Sequence, residues 1–151
     1  MALYLVRHAK AGSRNHFDGP DDLRPLTAAG LAQAQALAAR FAGVAVPRVL
    51  SSPYLRCVQT VEPIARQAGV VVEPTDALAE ARPFAPVLHL LAGLPDGTVL
   101  CTHGDLLPDV LGALERRGTG VEGPIEMRKG VTWVLERVSD RVVSARAVSP
   151  P

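Results

Sequence analysis

Ala2-Leu3-Tyr4-Leu5-Val6-Arg7-His8 is an apolar run that stops on a fixed cation and an imidazole. Its unbroken apolar character reads as a buried strand. The same punctuation returns twice. Arg48 to Leu50 is followed by Ser51-Ser52-Pro53-Tyr54-Leu55-Arg56-Cys57-Val58-Gln59-Thr60, and Thr98 to Cys101 by Thr102-His103-Gly104. Three strand ends therefore deliver Arg7, His8, Arg56 and His103 to one place.

The segments between these strands read as helices. Thr27 is placed to cap a helix running to about Ala42, with Leu31, Ala34, Ala38 and Phe41 on one face and Gly43 ending it. Ser52 as N-cap and Pro53 at the first helical position open a second helix, with Cys57, Val61, Ile64 and Ala68 inward, a kink at Pro63 and a stop at Gly69. A short strand over Val70 to Glu73 leads into an irregular stretch, Pro74 to Pro86, and a short helix through Leu91. Asp105 is placed to cap a helix bearing Leu107, Val110, Leu111 and Leu114, closed by Gly118. Gly130 to Val138 and Arg141 to Val148 read as a hairpin at the sheet edge, turning at Ser139-Asp140. Strands alternating with helices predict an α/β fold of three layers, a mostly parallel sheet with helices on both faces. Ligands in such sheets bind beyond the carboxyl ends of the strands, where His8, Arg56 and His103 fall.

The length of 151 residues fits one domain spanning residues 1–151. With 48% hydrophobic but only 4% aromatic residues, the composition is that of an Ala/Val/Leu-rich globule, and no run approaches the roughly 18 continuous apolar residues of a membrane span. The opening segment is broken by Arg7 and lacks a basic stretch before it, so it does not read as a secretory signal, and a cytoplasmic location is expected. A formal charge of +1 gives no overall pull toward nucleic acid or membrane, so any anion binding must come from local clustering. Cys57 and Cys101 read as reduced packing thiols; Pro63 and Leu107 stand where a cysteine-based anion loop needs arginine. His8, His16, His89 and His103 lack the helical spacing of a metal site. Gly118-Thr119-Gly120-Val121-Glu122-Gly123 matches a dinucleotide fingerprint by letter, but it follows a helix and is stopped by Pro124. Trp133 alternates with Val131 and Leu135 as a strand face, and the edge hairpin that carries it is where a dimer contact would be sought.

Arginine flanking histidine at strand ends is the chemistry of phosphate. A phosphate monoester carries about −1.5 to −2 charges at neutral pH. The planar guanidinium fork grips two of its oxygens at once. An imidazole that attacks phosphorus must be neutral, and Arg7 and Arg56 disfavour its protonated form. The leaving group then needs a proton, for which Glu80, in the Pro-rich stretch, is the candidate general acid, ahead of Glu73 and Asp76. Arg14, Arg24 and Lys129 are placed to line the opening of such a site.

These residues resemble the histidine phosphatase superfamily, and within it the small SixA-like branch. Arg7-His8 matches its first motif with Ala9 in place of Gly; Ser52-Pro53, Arg56 and Gln59-Thr60 match its second, and His103-Gly104 its third. Arg24-Pro25-Leu26-Thr27 with Gly30 resembles the stretch before the first helix of small members. Further likeness, in Lys10 to Arg14, Cys57 to Pro63, Cys101-Thr102, Pro108-Asp109 and Lys129 to Leu135, is to the phosphatase half of actinobacterial two-domain Nudix proteins, although no Nudix box is present. The resemblance implies a histidine phosphatase fold, transient phosphorylation of His8, a grip on the phosphoryl group by Arg7, Arg56 and His103, protonation of the leaving group by Glu80, substrate contacts from Arg14 and Arg24, and no metal or other cofactor. Ala11 and Arg14 depart from the mutase branch. The expected substrate is a phosphorylated small molecule, a nucleotide or a phosphoprotein, with no nucleic acid or membrane partner. The alternative is a phosphate-binding scaffold of the same fold without turnover.

Overall fold

The computed structural model describes residues 1–151 as seven strands and four α-helices. The strands are β1 (Ala2–Arg7), β2 (Val49–Ser51), β3 (Val72–Pro74), β4 (Val99–Thr102), β5 (Gly120–Val121), β6 (Thr132–Val138) and β7 (Arg141–Val148); the helices are α1 (Ala28–Arg40), α2 (Leu55–Ala68), α3 (Ala85–Gly93) and α4 (Leu106–Arg116). They form one sheet in the order β3-β2-β4-β1-β6-β7-β5. β1, β2, β3 and β4 run parallel to one another, and β6 returns antiparallel beside β1.

Side chains alternate across the sheet and divide the core in two. Leu3, Leu5, Leu50 and Leu100 face Val87, Leu88 and Leu91 of α3 and Leu107, Val110, Leu111 and Leu114 of α4. Val6, Val49, Val99 and Cys101 face Leu37 and Ala38 of α1 and Cys57, Val61, Ile64 and Ala65 of α2. Each large aliphatic so buried contributes about 1.5–3 kcal/mol, which fixes the register, since a one-residue slip would exchange the two cores. A small third cluster, Ala9, Ala11, Leu26 and Ala34, presses the loop after β1 onto α1. No helix is long and apolar enough to cross a membrane.

Several local expectations are corrected. On α1 the inward face carries Gly30, Ala34, Leu37 and Ala38, whereas Leu31 is 47% exposed. On α2 the buried small residue near the end is Ala65, with Ala68 exposed. That helix begins at Leu55 behind Tyr54, so Ser52 and Pro53 lie in the turn before it. Asp105 precedes α4 but makes no capping bond to it. The sheet edge on the hairpin side is β5, from the glycine-rich stretch set aside as a fingerprint, paired parallel to β7 outside the hairpin. Trp133 is fully buried, with its indole N–H donating to the Glu126 carbonyl at 2.9 Å, and so offers no surface for a dimer. Thr27 does cap α1, accepting from the Gly30 N–H at 3.1 Å, and Gly69 ends α2 at φ 74°.

Candidate active site

Because β1, β2 and β4 are parallel neighbours, their carboxyl ends lie side by side, and the residues that follow them line one cavity of about 490 Å³. Arg7, His8, Arg14, Arg24, Arg56, Glu80 and His103 all line it, joined by Asp105 and Lys129. The sequence named all of these but Asp105 as site or rim residues. Glu73, the rival acid, is committed to Arg48 in a pair of bonds at 2.6 and 3.0 Å and, like Asp76, does not line the cavity.

His8 is held in one tautomer. Its Nδ1 lies 2.8 Å from the Ala9 carbonyl, which can only accept, so Nδ1 carries the proton and Nε2 keeps a bare lone pair. The turn that sets this contact is itself fixed by α2: Thr60 Oγ1 accepts from the Ala9 N–H at 2.9 Å and donates to the Arg56 carbonyl at 2.7 Å. Gln59 Oε1 accepts from the Leu26 N–H at 2.8 Å, tying down the far end of the same loop. The His8 pKa is lowered to about 3, foremost by burial and then by His103, Arg56 and Arg7, while the bond to the Ala9 carbonyl works the other way. The expected direction holds, but desolvation rather than the arginines is the main cause.

His103 is oriented from the opposite side. Its Nε2 is 2.8 Å from Ser52 Oγ, and that hydroxyl also accepts from the Tyr54 N–H at 3.2 Å. The one hydroxyl proton of Ser52 is then free to go to Nε2, which leaves Nδ1 as the donor. Nδ1 is buried and has no partner. The Sγ of Cys57 also lies 3.5 Å from Nε2, so this thiol, read from sequence as packing alone, touches the site. The rings of His8 and His103 meet edge to face with centroids 5.5 Å apart.

The arginines are pinned at their backs. Arg7 donates from Nη1 to the Met127 carbonyl at 2.5 Å, and its Nε is buried without a partner. Arg56 is 1% exposed and its Nε is likewise unpartnered. Its other nitrogens are taken by Asp21, Nη1 to the carbonyl at 2.9 Å and Nη2 to Oδ2 at 3.1 Å, and Nη2 also lies 3.5 Å from Glu80 Oε2. Arg24 donates to Asp21 Oδ1 at 2.9 Å and to the Gly12 carbonyl. Arg14 pairs with Glu80 Oε1 at 3.0 Å and Asp21 Oδ1 at 3.3 Å. Asp21 was missed in the sequence; an aspartate three residues before a buried arginine was its only local signal. Lys129 has its pKa lowered by burial and by the nearby cations Arg7, Arg24, Arg56 and Lys10.

Arg7, Arg56 and His103 line this cation-rich cavity and each keeps one buried donor atom without a protein partner, a set of residues able to bind an oxyanion, while His8 Nε2 keeps an unshared lone pair. Three or more His, Cys, Asp or Glu side chains do not gather anywhere as metal ligands.

Comparison with known proteins identifies the family and the fold. The histidine phosphatase superfamily (branch 1) matches residues 3–83. An 8-oxo-(d)GTP phosphatase of Mycolicibacterium smegmatis is 33% identical over 155 aligned positions, covering 99% of this chain but 48% of that protein, so the chain spans about half the length of this relative. In fold, the chain is similar to the protein histidine phosphatase SixA complexed with tungstate, with a TM-score of 0.77 at 21% identity over 99% of this chain and 95% of that one. It is also similar to a mycobacterial glucosyl-3-phosphoglycerate phosphatase complexed with VO3, with a TM-score of 0.73 at 17% identity over 98% and 97% of the two chains.

Proposed function

The chain belongs to the histidine phosphatase superfamily, and from that premise we propose that it hydrolyses phosphorylated substrates through a phosphohistidine on His8. The observation that carries this reading is the neutral, singly oriented His8 lining one cavity with Arg7, Arg56 and His103, each of which keeps a buried donor atom without a protein partner. In the first step Nε2 attacks phosphorus, a P–N bond to His8 forms, the bond from phosphorus to the leaving oxygen (or, in a phosphohistidine substrate, the leaving nitrogen) breaks, and Glu80 in its protonated form delivers its proton to the departing atom. In the second, water attacks phosphorus, Glu80 takes its proton, and the P–N bond breaks to release phosphate and restore His8. The guanidiniums of Arg7 and Arg56 and the His103 Nδ1–H hold the equatorial oxygens in both steps. Residues 1–151 act as one catalytic domain in this reading, working in the cytoplasm.

The lining favours an anionic substrate. Five cations, Arg7, Arg14, Arg24, Arg56 and Lys129, face two carboxylates, Glu80 and Asp105, with Ala11 as the sole apolar residue. Recognition therefore rests on phosphate groups, with Lys129 at the opening and with Arg14 and Arg24 able to reach a substrate anion only by sharing or exchanging their bonds to Asp21 and Glu80. A nucleotide fits this, in keeping with the relative named as an 8-oxo-(d)GTP phosphatase. A phosphohistidine protein presented at the open mouth is the other occupant, in keeping with the SixA-like fold. A turnover panel of nucleoside mono-, di- and triphosphates, a phosphorylated phosphotransfer domain, sugar phosphates and p-nitrophenyl phosphate, run beside His8→Ala, tests the reading. Turnover abolished in the variant supports it. Phosphate binding with equally inert wild type and variant would instead assign a scaffold.

A further inference from the structure

The loop that carries Glu80 is fastened at two points to the turn that carries His103. Thr102 Oγ1 donates to the Leu78 carbonyl at 2.7 Å, and Asp105 Oδ2 accepts from the Ala81 N–H at 2.8 Å. The fastenings lie on either side of His103 in sequence and on either side of Glu80 in the loop. Ala81 sits at φ 61°, a left-handed conformation that a residue with a Cβ adopts only under outside constraint. Asp105, although it stands at the start of α4, makes no bond to that helix; its carboxylate serves the neighbouring loop.

We propose that Asp105 is the positioning residue for Glu80, holding the peptide after it in the left-handed turn that keeps its carboxyl group over the phosphoryl site. The proposal rests on the reading of Glu80 as the general acid. Without the bond to Asp105, the Ala81 peptide relaxes toward negative φ, and the backbone that aims Glu80 rotates with it. Glu80 would then keep its ion pair with exposed Arg14 more easily than its place near Arg56, because Arg14 can follow it into solvent. Fastening the acid to the His103 turn keeps proton donor and phosphate receptor at a constant separation.

An acid out of place harms only those substrates whose leaving group needs a proton, and this separates positioning from a general structural role. The experiment measures kcat over a series of phosphate monoesters, from nitrophenyl to simple alkyl, for wild type, Glu80→Gln, Asp105→Ala, Asp105→Asn and the double variant Glu80→Gln/Asp105→Ala. Loss of a general acid costs about 10²- to 10⁴-fold on the alkyl esters. Glu80→Gln is expected to show that loss on alkyl esters and much less on nitrophenyl phosphate. Asp105→Ala is expected to give the same trend at roughly a tenfold loss, below that range because the acid is displaced and not removed. Asp105→Asn keeps an acceptor oxygen for the Ala81 N–H and should recover most of it, and the double variant should fall no further than Glu80→Gln. An equal loss on every ester in Asp105→Ala, no recovery in Asp105→Asn, or additive losses in the double variant would each overturn the proposal while leaving the acid intact. A flat profile in Glu80→Gln would instead remove the acid reading, and the positioning role with it. Asp105 is exposed and caps no helix, so these variants are expected to fold.

Discussion

Asp21 holds Arg56 with two different oxygens, its main-chain carbonyl at 2.9 Å from Nη1 and its carboxylate Oδ2 at 3.1 Å from Nη2. The other carboxylate oxygen pairs with Arg24 at 2.9 Å and Arg14 at 3.3 Å, so a single side chain sets three guanidiniums around the cavity. Its pKa is lowered: burial pushes it up, and the arginines together outweigh that. The Arg56 Nε is left free of protein partners.

If Asp21 serves to place these arginines, Asp21→Ala loses more in misplaced cations than it gains in positive charge. A charge-assisted bond to a buried partner is worth about 1.5–3 kcal/mol, so kcat/KM is expected to drop by about 10- to 100-fold, mostly through KM. An unchanged or improved kcat/KM in steady-state assays would show that the carboxylate only competes with phosphate.

Ser52→Ala removes the hydroxyl that keeps the proton on His103 Nδ1. The loss of a neutral hydrogen bond worth about 0.5–1.5 kcal/mol lowers kcat/KM by roughly 2- to 10-fold. Nitrogen-15 chemical shifts of His103 provide the signature, changing from one tautomer to a mixture; unaltered shifts would count against this role for Ser52.

The pH dependence of stability follows from His8. Its folded pKa of about 3 lies below the ordinary 6.5, so the unfolded chain binds the proton first as pH falls. The stability from burying the neutral ring is complete above about pH 6.5 and is lost as pH falls toward 3, at up to about 1.4 kcal/mol per pH unit. Urea denaturation of wild type and His8→Asn between pH 7 and 5, above the range in which ordinary carboxylates titrate, should give a shallower slope for the variant. Parallel slopes would place the His8 pKa near its ordinary value.

Gly30 marks where the site loop leans on α1. A Cβ there would lie 1.9 Å from the Lys10 carbonyl oxygen, a backbone atom that cannot step aside alone. Gly30→Ala should therefore destabilise the fold by about 1–3 kcal/mol despite alanine's higher helix propensity, a loss readable in thermal or urea unfolding. A stabilised variant would mean that the loop yields freely.

What the sequence made legible was set by short range. The parallel strands, their helices and the convergence of Arg7, His8, Arg56 and His103 follow from apolar runs that end in charged residues, because chain direction alone then decides where those residues go. Ser52 and Asp105 were misassigned for one shared reason: each has the composition of a helix cap, but each finds a stronger partner across the site, His103 and the Ala81 peptide. The role of Asp21 and the contact of Cys57 with His103 depend on loop paths and on the packing of α2 against β4, which leave no periodic trace. The strand β5 has two residues and borrows its stability from β7, so its own sequence could not announce it. For His8, sequence supplied the charged neighbours but not the burial, which proved the larger cause of its low pKa.

The most direct test is to trap the covalent intermediate and locate it. Brief incubation with a radiolabelled phosphate ester, followed by alkaline quench and peptide mapping, is expected to place acid-labile label on His8 alone and to find none in His8→Ala. Turnover in wild type with no such label, or label that persists in His8→Ala, would contradict the account.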